Sequence, residues 1–328
     1  MTAPALELTG LRTEFRIGGT WHPAVRDLSL TLMRDETLAL VGESGCGKSV
    51  TALSVMGLVQ PPYGRVAKGR IVLDGRELSG LGEKELERVR GDRMAMIFQE
   101  PMTSLNPVMT VGDQVAEALR IHRGLDRAAA MEKARALFEE VKIPSAAQRL
   151  REYPHQFSGG MRQRVMIAIA LACEPAVLLA DEPTTALDVT IQAQVLGLLA
   201  DLRAKHGMAV LFITHNLGVV AQIADRVAVM YAGEIVEQGP VGAIFADPRH
   251  PYTRALFSAI PRLDAAGQAL SAIPGRVPPL DRMPQGCRFA PRCPLARAGC
   301  EREQVLAGVA PGHAARCHVA TGEFALHA

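Results

Sequence analysis

What this sequence lacks narrows its function before any motif is read. It has no charge excess. Its 36 Lys and Arg stand against 34 Asp and Glu, a net charge of +2, whereas a general nucleic-acid binder carries a strong basic surplus. No nucleic acid is therefore expected among its partners. It has no run of about 18 consecutive apolar residues, the length a membrane-spanning helix needs. Near the N-terminus Glu7 and Glu14 interrupt any apolar block, so a signal peptide is not expected either. These absences predict a soluble, cytoplasmic chain. In that compartment six cysteines in 328 residues predict reduced thiols or metal ligands rather than a disulfide framework. With 48% hydrophobic residues, the chain can bury a large core and divide into more than one unit.

What is present begins with Gly42-Glu43-Ser44-Gly45-Cys46-Gly47-Lys48-Ser49. It follows the apolar run Thr37-Leu38-Ala39-Leu40-Val41 and precedes a predicted helix from Val50 to Leu58. A glycine-rich turn between strand and helix lets backbone N–H groups curl around phosphate oxygens, since no Cβ blocks the approach and the helix N-terminus favours anions. Lys48 would reach the β- and γ-phosphates and the Ser49 hydroxyl would ligate Mg²⁺. An ordinary glycine turn needs neither the Lys-Ser pair nor the flanking strand and helix. Upstream, Leu6–Leu8 and Val25 to Leu32 read as short strands separated by Gly18-Gly19, and Asp74-Gly75 marks a further hairpin. Phe15 or Trp21 could stack on a nucleotide base, although an aromatic residue in a strand is more often core.

Met94 to Phe98 reads as a buried strand ending at Gln99, a position that suits a site residue or a plain surface polar residue equally. Helical spacing follows over Val111 to Arg120 and Arg127 to Val141. Ser158-Gly159-Gly160 then opens a predicted helix from Arg162 to Ala172, where Ser158 is either part of an anion site or a simple N-cap. Val177 to Ala180 is an apolar strand ending in Asp181 and Glu182, an arrangement in which the first acid holds Mg²⁺ and the second addresses a water. The Thr185-Ala186-Leu187-Asp188 turn precedes a helix from Ile191 to Lys205. The buried strand Ala209 to Thr214 ends at His215; a lone histidine is usually structural, but this one stands at the mouth of a sheet where phosphate chemistry would occur.

In their order and spacing these motifs resemble the ATP-binding subunits of ABC transporters, over about residues 1–255. The resemblance rests on GESGCGKS, Gln99, FSGGM, LLADE, TALD and His215, and it implies a role for each matching position. Gly42, Ser44, Gly45, Cys46, Gly47, Lys48, Ser49 and Val50 would bind the nucleotide phosphates, and Phe15 would stack on adenine. Ser49, Gln99 and Asp181 would attend Mg²⁺, Glu182 would be the general base, and His215 would contact the γ-phosphate. Ser158, Gly159 and Gly160 would close over the ATP of a second subunit, so hydrolysis would need a dimer. Two departures stand out: Phe157 and Met161 where Leu and Gln are commonest, and Asn216 where Asp usually follows the switch histidine.

Beyond residue 245, His250-Pro251-Tyr252-Thr253, GCRFAPRCP and a late RCH are similar to the C-terminal extension of oligopeptide and dipeptide importer ATPases. The stretch Ile260 to Gly286 is a linker by its proline content. Cys287, Cys293, Cys300 and Cys317 follow without the C-x2-C knuckle common in structural zinc sites. Together with the resemblance they predict a [4Fe–4S] cluster, with zinc or free thiols as alternatives and with Arg288, Arg292, Arg297, Arg302 and Arg316 offsetting its charge.

The expected architecture is an α/β P-loop NTPase with a RecA-like core, an antiparallel β-subdomain, a helical subdomain over about 101–160, and a small Cys-rich C-terminal domain over 256–328. The expected function is ATP-driven peptide import, performed at the cytoplasmic face of the membrane. The partners implied are a second ATPase subunit, two permease subunits and an extracytoplasmic solute-binding protein. The rival readings are a soluble ABC ATPase of repair or translation, which would usually carry long insertions or two ATPase domains, and a metal- or redox-regulated ATPase.

Overall fold

The structure, a computed structural model, describes residues 3–100, 104–185, 187–259 and 273–320. Part of the expected linker (260–272), the first residues of the expected helical subdomain (101–103) and Ala186 of the TALD turn lie outside the described residues. The chain forms two compact units. Among the described residues, one contains those up to Leu6, Leu32–Glu36 and Leu73–Ile213; the other contains Glu7–Thr31, Thr37–Val72 and those from Thr214 onward.

In the first unit the strands Met94–Ile97, Val177–Asp181 and Ala209–Thr214 run parallel, in register at Met94↔Val177 and Val177↔Ala209. Their near-continuous apolar sequences suit strands covered on both faces, and every residue of the latter two is buried. The helical part comprises Val111–Arg123, Arg127–Glu140, Ala146–Arg149 and Gly159–Leu171. Thr110 and Asp126 cap the first two by accepting the N–H groups of Asp113 and Ala129, and Gly124 ends the first in a left-handed conformation. Val115, Leu119, Ala130, Ala134, Phe138 and Ile167 on these helices are completely buried. The last long helix is Val189–His206, capped by Asp188 at Ile191 N–H (2.9 Å) and closed by left-handed Gly207.

In the second unit the early segments prove longer than their spacing predicted. Leu6–Ile17 and Thr20–Leu32 are single strands joined at Gly18-Gly19 and continued by Gly64–Leu73 as the next neighbour. Glu7 and Thr9 take the less buried alternate positions of the first strand, whereas Thr13 and Glu14 are buried and stay in it by pairing with the Ser54 hydroxyl and the Arg65 guanidinium. Thr37–Val41, buried throughout, lies parallel to Arg226–Tyr231, which pairs antiparallel with Glu234–Pro240. His313–Ala315 then pairs with that strand, and Ala307–Ala310 with His313–Ala315.

A separate Cys-rich domain after residue 255 is thus not confirmed. Its described strands instead extend the sheet that carries the glycine-rich loop. The Glu237 carboxylate, fully buried, fastens three segments. It accepts the N–H groups of Arg249 (2.6 Å) and His250 (2.8 Å) and bonds His313 Nε2 (2.7 Å). Tyr231, Tyr252 and Phe289 pack alongside, with ring centroids 4.6, 5.1 and 5.3 Å apart.

His250 is sealed in this core, and its Nδ1 accepts the Tyr252 N–H at 3.1 Å. Burial first, and the Arg316 charge second, hold its pKa down at about 3. Its ordinary value is about 6.5. Between these values the unfolded chain binds a proton that the folded chain does not, so this group's contribution to stability falls as pH drops from about 6.5 to about 3. The expected slope reaches about 1.4 kcal/mol per pH unit. Urea melts across that range should give a flatter profile for His250→Gln; an unchanged profile would refute the assignment.

Candidate functional site

The glycine-rich loop, Phe15 and His215 belong to the second unit. Gln99, Ser158 to Gly160, Asp181 and Glu182 belong to the first. Each group is built by its own local structure.

The loop leaves the strand Thr37–Val41 and enters the helix Lys48–Val55, which begins two residues earlier than its spacing predicted. Lys48 and Ser49 are therefore the helix's first residues, where N–H groups lack intrahelical partners. Glycine is required at two points for lack of room. A Cβ on Gly42 would stand 2.2 Å from the Met230 carbonyl oxygen, and one on Gly47, the N-cap at φ 106°, would stand 2.9 Å from that of Ala24. The Lys48 ammonium, nearly buried, donates to the carbonyls of Gly42 (2.8 Å) and Glu43 (3.1 Å), holding the loop's start against its end. Cys46 is buried, which pushes its thiol pKa up; Ser44 and Gly45 are exposed, and Ser49 and Val50 are half-buried.

Of the two aromatic candidates, Trp21 is covered by the Arg65 guanidinium, 4.2 Å from its ring centroid. Phe15 is half-buried beside Gly64, where a Cβ would come within 2.9 Å of its ring. His215 is exposed at the end of Ala209–Thr214. Asn216 caps the helix Leu217–Ile223 by accepting the N–H groups of Gly218 (3.0 Å) and Val219 (3.3 Å). Asn and Asp are equivalent caps, which accounts for this departure from the usual residue.

In the first unit parallel register does the positioning. Ile97 pairs with Ala180, so Gln99 and Glu182, each two residues further on, emerge together. Gln99 Nε2 donates to Glu182 Oε2 at 3.1 Å, and the Thr185 hydroxyl donates to the same oxygen at 3.0 Å. Glu182 has φ 46°, a left-handed conformation costly for a non-glycine residue, and its N–H is tied to the Ile213 carbonyl at 2.9 Å. Strain of this kind concentrates at functional sites. Asp181 is 4% exposed at the end of its strand. Ser158 occupies the N-cap of Gly159–Leu171, a helix that starts three residues ahead of the predicted Arg162, and its side chain makes no capping bond. The atypical Phe157 is buried, with the Arg149 guanidinium 5.5 Å from its ring.

The four late cysteines share a neighbourhood. Cys287 N–H donates to the Cys300 carbonyl at 2.8 Å. Burial, and after it Cys300 and Cys317, push the Cys287 thiol up to about 11, and burial with the same two neighbours raises Cys293. The donors have the right chemistry for an iron–sulfur cluster, but the geometry does not support one. Among the described residues no three His, Cys, Asp or Glu form a group that could hold a metal ion. Three of the arginines expected to offset cluster charge are engaged elsewhere: Arg288 with the Ala232 carbonyl and Glu234, Arg292 with Glu43, Arg316 with the Ile235 and Gln304 carbonyls.

Known families match this chain in two places: the ABC transporter family at residues 25–185, and the oligopeptide/dipeptide transporter C-terminal region at 236–300. A protein of Brucella melitensis named as a peptide import ATP-binding protein is 52% identical over 326 residues, covering 96% of each chain. The chain belongs to the ABC transporter family. A second such protein, from Brucella abortus, is 51% identical over 316 residues, covering 96% of this chain and 95% of its own. Among solved structures, this ABC protein is similar to the dimeric, post-hydrolysis ATP-binding cassette MJ0796 bound to ADP and Pi. The TM-score is 0.64 at 26% identity, over 72% of this chain and 98% of that one. CbiO1 of Clostridium perfringens, part of the transporter complex cbiONQ, shares the fold with a TM-score of 0.63 at 24% identity, over 74% and 91% of the two chains.

Sequence reasoning missed Thr185 as a partner of Glu182, and it missed Tyr252, Arg292 and the Glu43 side chain as parts of the loop's surroundings. The Thr of TALD was in plain view, but only folding brings its hydroxyl to the carboxylate.

Proposed function

We propose that this ABC protein is the ATP-binding subunit of a peptide importer, hydrolysing ATP to drive uptake of di- or oligopeptides or related solutes. The observation that carries this reading is the presence, in one chain, of both the ABC transporter region and the oligopeptide/dipeptide transporter C-terminal region. The near full-length relatives named for peptide import support it.

The residue roles follow from chemistry. Gly42, Ser44, Gly45, Cys46, Gly47 and Val50 offer backbone N–H groups to the phosphates, Lys48 offers its charge, and Phe15 offers a face to adenine. Mg²⁺ takes one or two carboxylates plus hydroxyl, water and phosphate oxygens; Ser49, the buried Asp181 and Gln99 are hard-oxygen donors that fit this set. When bound, the ion neutralises charge on the phosphate oxygens. Glu182, oriented by Gln99 and Thr185, takes the proton of the attacking water, and His215 contacts the γ-phosphate. Ser158, Gly159 and Gly160, a helix start without a lysine, complete the site of a second ATPase subunit. The dimeric state of MJ0796 supports that pairing.

The dimer works on two permease subunits fed by an extracytoplasmic solute-binding protein, and it sits peripherally at the cytoplasmic face. Among the described residues no helix is long and apolar enough to cross a membrane. The nucleotide-binding part is taken as 1–255, with its helical subdomain at about 101–160, and 256–328 as the peptide-importer extension. For that extension we keep a cluster held by Cys287, Cys293, Cys300 and Cys317 as a finer reading, supported by the thiol set alone. Iron with acid-labile sulfide in anaerobically purified protein upholds it, and zinc or no metal sinks it.

The test of function is reconstitution with the permease pair and binding protein. Labelled peptide should accumulate only with ATP and Mg²⁺; ATP hydrolysis that never responds to peptide would reject the transport reading.

A further inference from the structure

The glycine-rich loop is held from outside by residues far along the chain, Tyr252 and Arg292 among them. The Glu43 backbone N–H donates to the Tyr252 hydroxyl at 2.9 Å. The Glu43 carboxylate receives both arms of the Arg292 guanidinium, at 2.6 and 3.0 Å. Such a two-pronged pair fixes direction as well as distance. Arg292 is itself immobilised: its side chain is 4% exposed, its Nε donates to the Pro274 carbonyl at 2.8 Å, and its guanidinium lies 5.7 Å from the Tyr231 ring centroid. A third tie joins the Cys46 carbonyl to the Gly233 N–H at 2.7 Å. Next to Gly233, the Ala232 carbonyl accepts from Arg288. Arg288, Phe289 and Arg292 all lie between Cys287 and Cys293, and both cysteines pack against the same buried cluster.

A phosphate-binding loop works by holding several N–H groups in one concave arrangement, and any freedom left in it must be lost when the nucleotide binds. Most of a loop's order comes from its own glycines and lysine. Here an ion pair and a tyrosine hydroxyl from beyond residue 250 add to it. We propose that Arg292 and Tyr252 are positioning residues for the nucleotide loop: through Glu43 they preorganise the phosphate cradle, so nucleotide affinity depends on the segment bracketed by Cys287 and Cys293. This rests on the reading of Gly42 to Ser49 as the nucleotide loop.

Because the device acts on the loop rather than on the reacting atoms, its signature is a split between KM and kcat. In the full chain, Arg292→Ala should raise the KM for ATP, and the Kd for a fluorescent ATP analogue, about tenfold, while kcat at saturating ATP stays within about twofold. Glu43→Ala should raise KM similarly, and the double variant should be no worse than either single one, since both remove the same link. Tyr252→Phe keeps the aromatic packing and loses only the hydroxyl, so it remains informative if Arg292→Ala misfolds; it should raise KM about threefold. An unchanged KM in folded Arg292→Ala or Tyr252→Phe overturns the proposal, as do additive effects of Arg292→Ala and Glu43→Ala. Lys48→Ala run alongside separates the two levels: if it too leaves nucleotide binding intact, the loop assignment fails rather than the positioning role.

Discussion

Glu182→Gln should lower ATP turnover by a factor on the order of 10² to 10⁴, the range for losing a general base, while nucleotide still binds. The carboxylate stands just past a buried strand with its backbone in a left-handed conformation, and Gln99 and Thr185 both donate to its Oε2. Two neutral donors on one oxygen fix the plane of the group without neutralising it. Glutamine preserves size and an acceptor oxygen, so Thr185 keeps its partner, but an amide does not take a proton from water. Binding would then proceed without hydrolysis, and the ATP-bound dimer should accumulate. Single-turnover hydrolysis and light scattering check the two halves of the expectation. Ordinary turnover in the variant would remove Glu182 from the role of base.

Lys48→Ala should weaken ATP binding at least about a hundredfold, equivalent to about 2.7 kcal/mol, and abolish ATP-driven peptide uptake. In the proposed role the ammonium meets phosphate charge; in the structure it is buried and satisfies the Gly42 and Glu43 carbonyls that shape the loop's first turn. Alanine leaves both acceptors without that donor, and an unmade hydrogen bond costs more than a made one contributes. Isothermal titration with ATP measures the first effect and uptake in cells the second. A protein in which nucleotide is only regulatory would tolerate Lys48→Ala and fail on Cys293→Ser; the present reading expects the reverse order of severity.

Legibility followed the range of each interaction. Strand, turn and helix around Gly42 to Ser49 were readable because the glycine-rich loop is built by eight consecutive residues. The helix began earlier than its periodicity indicated, because periodicity marks the buried face and the first turn here serves the loop. The role of Asn216 became clear only as a cap. The Cys-rich tail was readable as a segment but not as a part of the fold: hydrophobic spacing cannot tell a strand that starts its own sheet from one that joins an existing edge. Its arginines looked like counter-charges for sulfur because they were near the cysteines in sequence, and in the fold three of them reach the glycine-rich loop's surroundings or backbone carbonyls instead.

The sequence by itself determined the chemistry: a lysine and hydroxyl behind a glycine turn, two acids at the end of an apolar strand, a helix start without a lysine, and four late thiols. All but the thiols are short strings whose geometry is set by bonds to immediate neighbours. Only the tertiary structure decided that Gln99 and Thr185 share an oxygen of Glu182, that the tail extends the sheet, and that Arg292 grips Glu43 from 249 residues away. Such pairings depend on strand order and register, and an isolated arginine or tyrosine carries no local pattern that names its distant partner.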